Sequence, residues 1–264
     1  MQLDKTDLTT VTAADIAALP NDTNSLIIKP SGATLKTVDP VTGDFAAYLS
    51  GLVINNIAAV AADNKVYIIN RGRGGGNINT DFLKIKITRK ANGYTVTYGG
   101  INEILFNSYD VEKDGAYNFK YLSFTSSSVT VEPGKANWDF EWTLSTYKDA
   151  VTGLPVAEPD FVLINFGGGV TAAEVIFGTD QTKNYDSFTA ANLDGISFSG
   201  ARDVIGVKWR NSATSSASTL NINNDRFYLI KDPAGNIYKL KFNGGSRGRP
   251  EIAYALLKAA IIVH

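Results

Sequence analysis

Arg71-Gly-Arg73-Gly-Gly-Gly76 is the first run whose residue types suit binding chemistry. Successive backbone N–H groups with two guanidiniums above them can cradle a phosphate. No lysine-hydroxyl pair and no clear helix follow it, so a hairpin tip is the simpler assignment. The same holds for Arg247-Gly-Arg249, where Pro250 opens the last strand. Asp139 and Glu141 stand two apart in a strand-like run and would share one face, the crudest condition for a glycosidase pair. Asn221-Ile-Asn-Asn-Asp225 clusters oxygens as a calcium site does, although a turn explains it as well. Phe166-Gly-Gly-Gly169 suits a loop over a site. Trp138, Trp142 and Trp209, with Tyr121, Tyr147 and Tyr228, can line a pocket for a flat or sugar-like ligand or fill a β core.

What is missing narrows this chemistry. The 264 residues contain no cysteine, and the one methionine and one histidine are Met1 and His264. Interior thiolates and imidazoles are absent, so Cys/His triads, Cys- or His-ligated zinc, iron–sulfur clusters and disulfides are excluded. Twenty-five basic against 26 acidic side chains give a net charge of −1, with no bulk attraction to nucleic acid. Met1-Gln2-Leu3-Asp4-Lys5 lacks the apolar core of a signal peptide, which predicts a cytoplasmic chain or a processed or recombinant mature form.

The elements that must position these residues read as strands. Lys65–Asn70, Phe82–Thr88, Tyr94–Tyr98, Tyr117–Thr125, Ser128–Glu132, Trp138–Leu144, Phe161–Asn165, Ile205–Trp209, Arg226–Lys231, Ile237–Phe242 and Ile252–Leu257 are short and rich in aromatic or β-branched residues. Ile85 and Ile87 alternate with Lys84 and Lys86, which predicts a half-buried strand with both lysines on the solvent face. Ala91-Asn92-Gly93 and Asp232-Pro-Ala-Gly-Asn236 predict tight turns. Short helices are expected after Thr12-Ala-Ala-Asp15 and over Asp44 to Leu52, while Thr171-Ala-Ala-Glu174 offers a third helix start that Val175-Ile-Phe177 pulls toward strand. The apolar tail Leu256 to His264 can pair as an edge strand or insert into a partner. The fold class is therefore all-β, mostly antiparallel sheets, curled or two-layer, with few short helices. A β-rich segment over 1–110 precedes a second β region over 111–264, the two expected to form one compact unit.

From residue 117 onward the order of motifs carries further information. Tyr117-Asn-Phe-Lys-Tyr121-Leu-Ser-Phe124 is followed by Asn137-Trp138-Asp139-Phe140-Glu141-Trp142. The chain then reaches Tyr228-Leu-Ile-Lys-Asp232-Pro-Ala-Gly235-Asn-Ile-Tyr238-Lys239-Leu240-Lys241-Phe242. This order resembles the HmuY-like family of Bacteroidetes surface lipoproteins, over about residues 117–258. The resemblance implies a non-enzymatic all-β protein lipid-anchored to the outer membrane by a cysteine not present in this chain. It further implies capture of haem or a porphyrin for a TonB-dependent outer-membrane receptor. The family's axial histidines and methionines have no counterpart in the interior of this chain. Thr143 occupies the position after the Trp142 strand where such a ligand is sought. Under this resemblance a tyrosinate is one route to haem, with Tyr147 the candidate ligand and Trp142, Thr143 and Tyr121 in the expected haem site, and apolar porphyrin binding against Trp and Tyr is another. The alternative is an accessory surface lipoprotein of an outer-membrane transport or assembly complex that has lost haem binding. A carbohydrate-acting enzyme using Asp139 or Glu141 ranks below both.

Overall fold

A computed structural model describes residues 1–17, 39–40, 42–54, 56–70, 73–74, 77–78, 82–148, 155–211, 221–246 and 248–261. Most described strands pair antiparallel, as the composition of the runs requires. The chain divides into two compact units, one formed by Met1–Asp39, Gly51–Pro133 and Lys148–Val156, the other by Pro40–Ser50, Gly134–Tyr147 and Ala157–His264.

The first unit holds β1 (Val66–Asn70), β2 (Arg73–Gly74), β3 (Asn77–Ile78), β4 (Phe82–Lys90), β5 (Gly93–Gly100), β6 (Asn107–Glu112), β7 (Tyr121–Ser123) and β8 (Ser127–Val129). Its main sheet has the order β1-β4-β5-β6, while β2 pairs with β3 and β7 with β8. The β4–β5 connection turns at Ala91-Asn92, and Gly93 follows at φ +156°, where an added Cβ would lie 2.1 Å from the Val111 carbonyl oxygen. The β6 strand joins this sheet by pairing with β5, so residues just beyond 110 belong with the first unit.

The N-terminal segment lies along β1: Leu3 N–H donates to Val66 O at 2.8 Å and Val66 N–H to Lys5 O at 2.8 Å. Leu8 and Val11 then pack with Val66, Ile68, Phe82 and Ile101 into one core. This corrects the expected exposure of Lys84. Lys84 pairs with Ile68 and so shares the face that the N-terminal segment covers, leaving it 1% exposed. Period-two alternation puts the lysine on the face opposite Ile85, but both faces of this strand are covered.

The second unit contains β9 (Phe140–Lys148), β10 (Pro155–Ile164), β11 (Thr171–Ile176), β12 (Arg226–Lys231), β13 (Ile237–Ser246) and β14 (Arg249–Lys258). Strands β9 and β10 pair, and β11-β12-β13-β14 form a four-stranded sheet. One face of that sheet packs Ala173, Val175, Phe227, Leu229 and Ile237 under Phe188, with Tyr185, Leu193 and Leu257 at its margin. Tyr228, Leu240 and Phe242 point to the other face. The β12–β13 turn is built as expected: Gly235 N–H donates to Asp232 O at 3.0 Å with Gly235 at φ +95°.

One open assignment in this unit is decided and one expectation is overturned. Thr171-Ala-Ala-Glu174 does not start a helix but opens β11, because cross-strand pairing with Arg226–Lys231 and the following Val175-Ile176 favour the extended chain. Ile205–Trp209 is not a strand. It is a turn region whose Gly206, at φ +54°, exchanges both backbone hydrogen bonds with Val162, at 2.9 and 3.0 Å. The helix expected over Asp44 to Leu52 is present as α1 (Phe45–Gly51), ending at the glycine that cannot favour its continuation. Thr12 to Asp15 gives one 3₁₀ turn, Ala13–Asp15, with the Asp15 carboxylate accepting from Thr12 N–H at 2.8 Å.

Candidate functional site

Trp142 of β9 leads to a buried acidic side chain of the second unit, Asp160. The Trp142 indole N–H donates to Asp160 Oδ1 at 2.9 Å, and Gly248 N–H donates to the same oxygen at 2.7 Å. The Trp209 indole donates to the Asp160 carbonyl at 3.3 Å. Asp160 is 3% exposed, its Oδ2 has no partner among the described residues, and its backbone stands at φ +56° inside β10. That conformation costs an L-residue about 1–2 kcal/mol, least for Asp and Asn. Two hydrogen bonds to a carboxylate, each worth about 1.5–3 kcal/mol, outweigh the strain.

Around this carboxylate the rings close up. Trp142 lies 4.8 Å from Trp209, Trp209 stacks on Phe242 at 4.6 Å, and Tyr228 meets Phe242 edge-on at 5.8 Å. Arg210, 4% exposed, donates to Glu158 Oε1 at 2.5 Å and to Pro159 O at 2.8 Å, while its Nε has no partner among the described residues. Tyr228 donates to Glu174 at 3.3 Å, and burial, with Glu174 beside it, holds its phenol well above the usual range. Glu174 is also bound by Arg226 at 2.9 Å. A closed aromatic core clamped by one carboxylate is what this arrangement provides; its polar atoms are turned inward.

Phe242 also borders an open cleft of about 230 Å³ at the end of the same sheet. Strands β11, β12 and β13 each contribute at or next to one terminus: Phe177 just after β11, Asn223 and Asn224 just before β12, Asn243 near the end of β13. Gln181, Asn184, Tyr185 and Asp186 come from the excursion after β11. The Asn184 side chain is consumed locally, accepting from Asp186 N–H at 3.0 Å and Ser187 N–H at 2.9 Å. Asn223 donates to Lys208 O at 2.8 Å. Asn224 and Asn243 have no intramolecular partner among the described residues, and both are exposed. The charges on the rim are matched: Arg226 binds Asp225 and Glu174, and Lys241 lies 3.8 Å from Asp186. Lys239 and Lys241 ammoniums both sit 4.7 Å from the Tyr185 ring centroid. Burial and the Asp186 charge push the Tyr185 phenol up, so it stays a neutral hydroxyl at physiological pH.

The residues expected from the sequence fall in separate places. Tyr121 is in β7 of the first unit, 6.4 Å from the Phe119 ring. Trp142 is packed in the aromatic core just described. Thr143, next along β9, donates to Leu144 O at 3.2 Å. Tyr147 belongs to β9, and its side chain lies outside the described residues. Asp139 and Glu141 have different surroundings: Glu141 binds Arg202 at 3.1 Å, while burial, and then Asp232, push the Asp139 carboxyl up. Arg202 itself covers the rings of Tyr48 and Phe166 at 5.6 and 5.2 Å. The run Phe166 to Gly169 is therefore a packed 3₁₀ turn, fixed by Asn165 Oδ1 accepting from Gly168 N–H at 2.8 Å. Of the Arg71–Gly76 run only Arg73 and Gly74 are described, as the backbone of β2, and Arg247 lies outside the described residues. In Asn221–Asp225 the carboxylate is engaged by Arg226 at 2.8 Å, and the amides before it turn to the cleft.

No sequence pattern marks Asp160, Arg210 or Asn243, and Asn224 stands out only within the amide-rich run 221–225. Comparison with known proteins returns no matching family model, no matching curated protein and no matching solved structure.

Proposed function

We propose that this chain is a non-enzymatic binding protein whose second unit holds a small, neutral, hydroxyl-rich ligand, of the size of one sugar ring, in the cleft at the end of its sheet. The observation that carries this reading is the pair of side-chain amides, Asn224 and Asn243, unengaged among the described residues, on a cleft whose charged groups are already matched. An amide offers donors and an acceptor together, which matches a hydroxyl's own donor and acceptor. Matched rim charges argue against an ionic ligand, because Arg226 and Lys241 already face carboxylates. A volume near 230 Å³ is below the range for drug-sized ligands and suits a single ring. Calorimetric titration against a panel of neutral monosaccharides tests it. Binding of one member should fall at least tenfold in Asn224→Ala/Asn243→Ala, with unchanged folding; a panel without any saturable heat sinks the reading.

A second reading rests on the order of the motifs between residues 117 and 258. A protein resembling the HmuY-like family would take haem or a porphyrin at the bacterial surface and pass it to a TonB-dependent receptor. It would be lipid-anchored, or an accessory lipoprotein of an outer-membrane complex if haem binding has been lost. Haemin titration separates the two readings: a saturable Soret shift, lost in Tyr147→Phe, supports haem capture through Tyr147. A flat spectrum in both redox states removes it.

A further inference from the structure

The two edges of the four-stranded sheet in the second unit are treated differently. On β11 the edge is met by Ser199, which exchanges hydrogen bonds with Ala172 at 2.8 and 2.9 Å. On β14, ten residues long, no described strand pairs with the outer edge. Natural sheets blunt such edges with central charges, prolines or bulges. Here Pro250 and Glu251 stand at one end and Lys258 at the other, and Ile252 to Leu257 contain no charge and no proline. One register shift, between Phe242 and Gly244, lies on the β13 side toward the same end as Pro250, and a second leaves Leu257 as an extra residue on β14, so both lie at the ends and Ile252 to Leu256 pairs without interruption.

The uncharged stretch also exposes a large apolar row. Ile252, Tyr254 and Leu256 share one face and are 38%, 72% and 55% exposed. Between them stand Ala253 and Ala255 on the opposite face. The run Ile252-Ala253-Tyr254-Ala255-Leu256 therefore reads large-small-large-small-large in both directions. We propose that β14 pairs antiparallel with β14 of a second copy of this chain, about a two-fold axis through Tyr254. That register sets Tyr254 against the partner copy's equivalent tyrosine, Ile252 against Leu256, and Ala253 against Ala255. Glu251 then faces Leu257 and Lys258 faces Pro250, so no like charges oppose each other. Parity leaves few alternatives. Centring on Ala255 sets Ile252 against Lys258, and centring on Ala253 sets Leu256 against Pro250. Only the Tyr254 register keeps all three large side chains together, as cross-strand stabilisation requires. The contact is isologous and closes at two copies, joining the two four-stranded sheets into one.

Sedimentation of the whole chain from low to high micromolar concentration should show a concentration-dependent mass twice that of one chain. Tyr254→Lys places two ammoniums at the axis and should sediment as a monomer with an unchanged circular dichroism spectrum. Because the chain has no cysteine, Tyr254→Cys introduces its only thiol, and mild oxidation should give a covalent dimer. Register is tested by Ile252→Lys and Leu256→Glu. Each alone should be monomeric, and an equimolar mixture should recover the dimer, because the pairing sets the new ammonium against the new carboxylate. A wild-type chain that stays monomeric throughout overturns the proposal. So does a dimer that survives Tyr254→Lys, or folded charge variants that fail to associate when mixed.

Discussion

Lys84 in the first unit and Arg210 in the second are both withdrawn from water, at 1% and 4% exposure, in different company. Lys84 meets no buried carboxylate among the described residues; its ammonium donates to Ile101 O at 2.8 Å and Val11 O at 3.4 Å, with the Phe106 ring 5.3 Å away. Burial lowers its pKa, and the charges of Glu103 and Asp7 offset that only in part. Arg210 has Glu158, and the nearby Asp160 is held by an indole and a backbone N–H. An ammonium can shed its charge by releasing a proton, whereas a guanidinium does not. The first unit thus carries a buried charge that pH can remove, and the second carries a charge network fixed by geometry.

The largest test of this contrast is Asp160→Ala. It leaves the Trp142 indole and Gly248 N–H without acceptors and puts alanine at φ +56°, for an expected loss of about 3 kcal/mol in the second unit. Asp160→Asn keeps an acceptor and a residue that tolerates this backbone, and should lose about 1 kcal/mol. Both are read from denaturant unfolding followed by tryptophan emission. Equal losses for the two variants would mean that the charge, not the acceptor geometry, holds the site.

A smaller effect, confined to alkaline pH, is expected at Lys84. Its folded pKa lies below the ordinary lysine value of 10.5, so between the two the unfolded chain binds more protons. Stability of the first unit should therefore climb as pH rises through that window, and the climb should be absent in Lys84→Met. Parallel pH profiles for wild type and variant would remove the lone-cation account.

Asp139 gives the second unit its own titratable exception, with the least effect. Burial, then Asp232, raise its pKa, so the folded state favours the protonated form. Asp139→Asn should stabilise by a few tenths of a kcal/mol at neutral pH. Wild type should draw level as pH falls through the folded value, which a pH series of thermal melts would show. A variant less stable than wild type at neutral pH would mean that the carboxylate is paired.

Local features of the fold were legible in the sequence where the chain alone decides them. The Asp232–Asn236 turn follows from proline and glycine chemistry, and α1 ends where Gly51 weakens it. Features that depend on distant segments were not. Alternation around Ile85 gave the right strand but the wrong exposure for Lys84, because the cover comes from Leu8 and Val11, over 70 residues away. Thr171 to Glu174 carries a helix-start pattern that Val175-Ile176 opposes, and the pairing with β12 decides for strand. The cleft draws on residues from Phe177 to Asn243, and no local pattern marks Asn243 as a companion of Asn224. Asp160 looks like an ordinary acidic residue after a proline; what singles it out is two indoles arriving from β9 and from the turn after Gly206.

All three tryptophans, Trp138, Trp142 and Trp209, belong to the second unit, and the first has none. Emission excited at the red edge of protein absorption therefore monitors one half of the molecule, while the other half is optically silent at that wavelength. Phe242 extends the use of this signal, since the ring that stacks on Trp209 at 4.6 Å is also a wall of the cleft. A ligand that nudges that wall changes the surroundings of a native fluorophore, so occupancy can be followed without attaching any label.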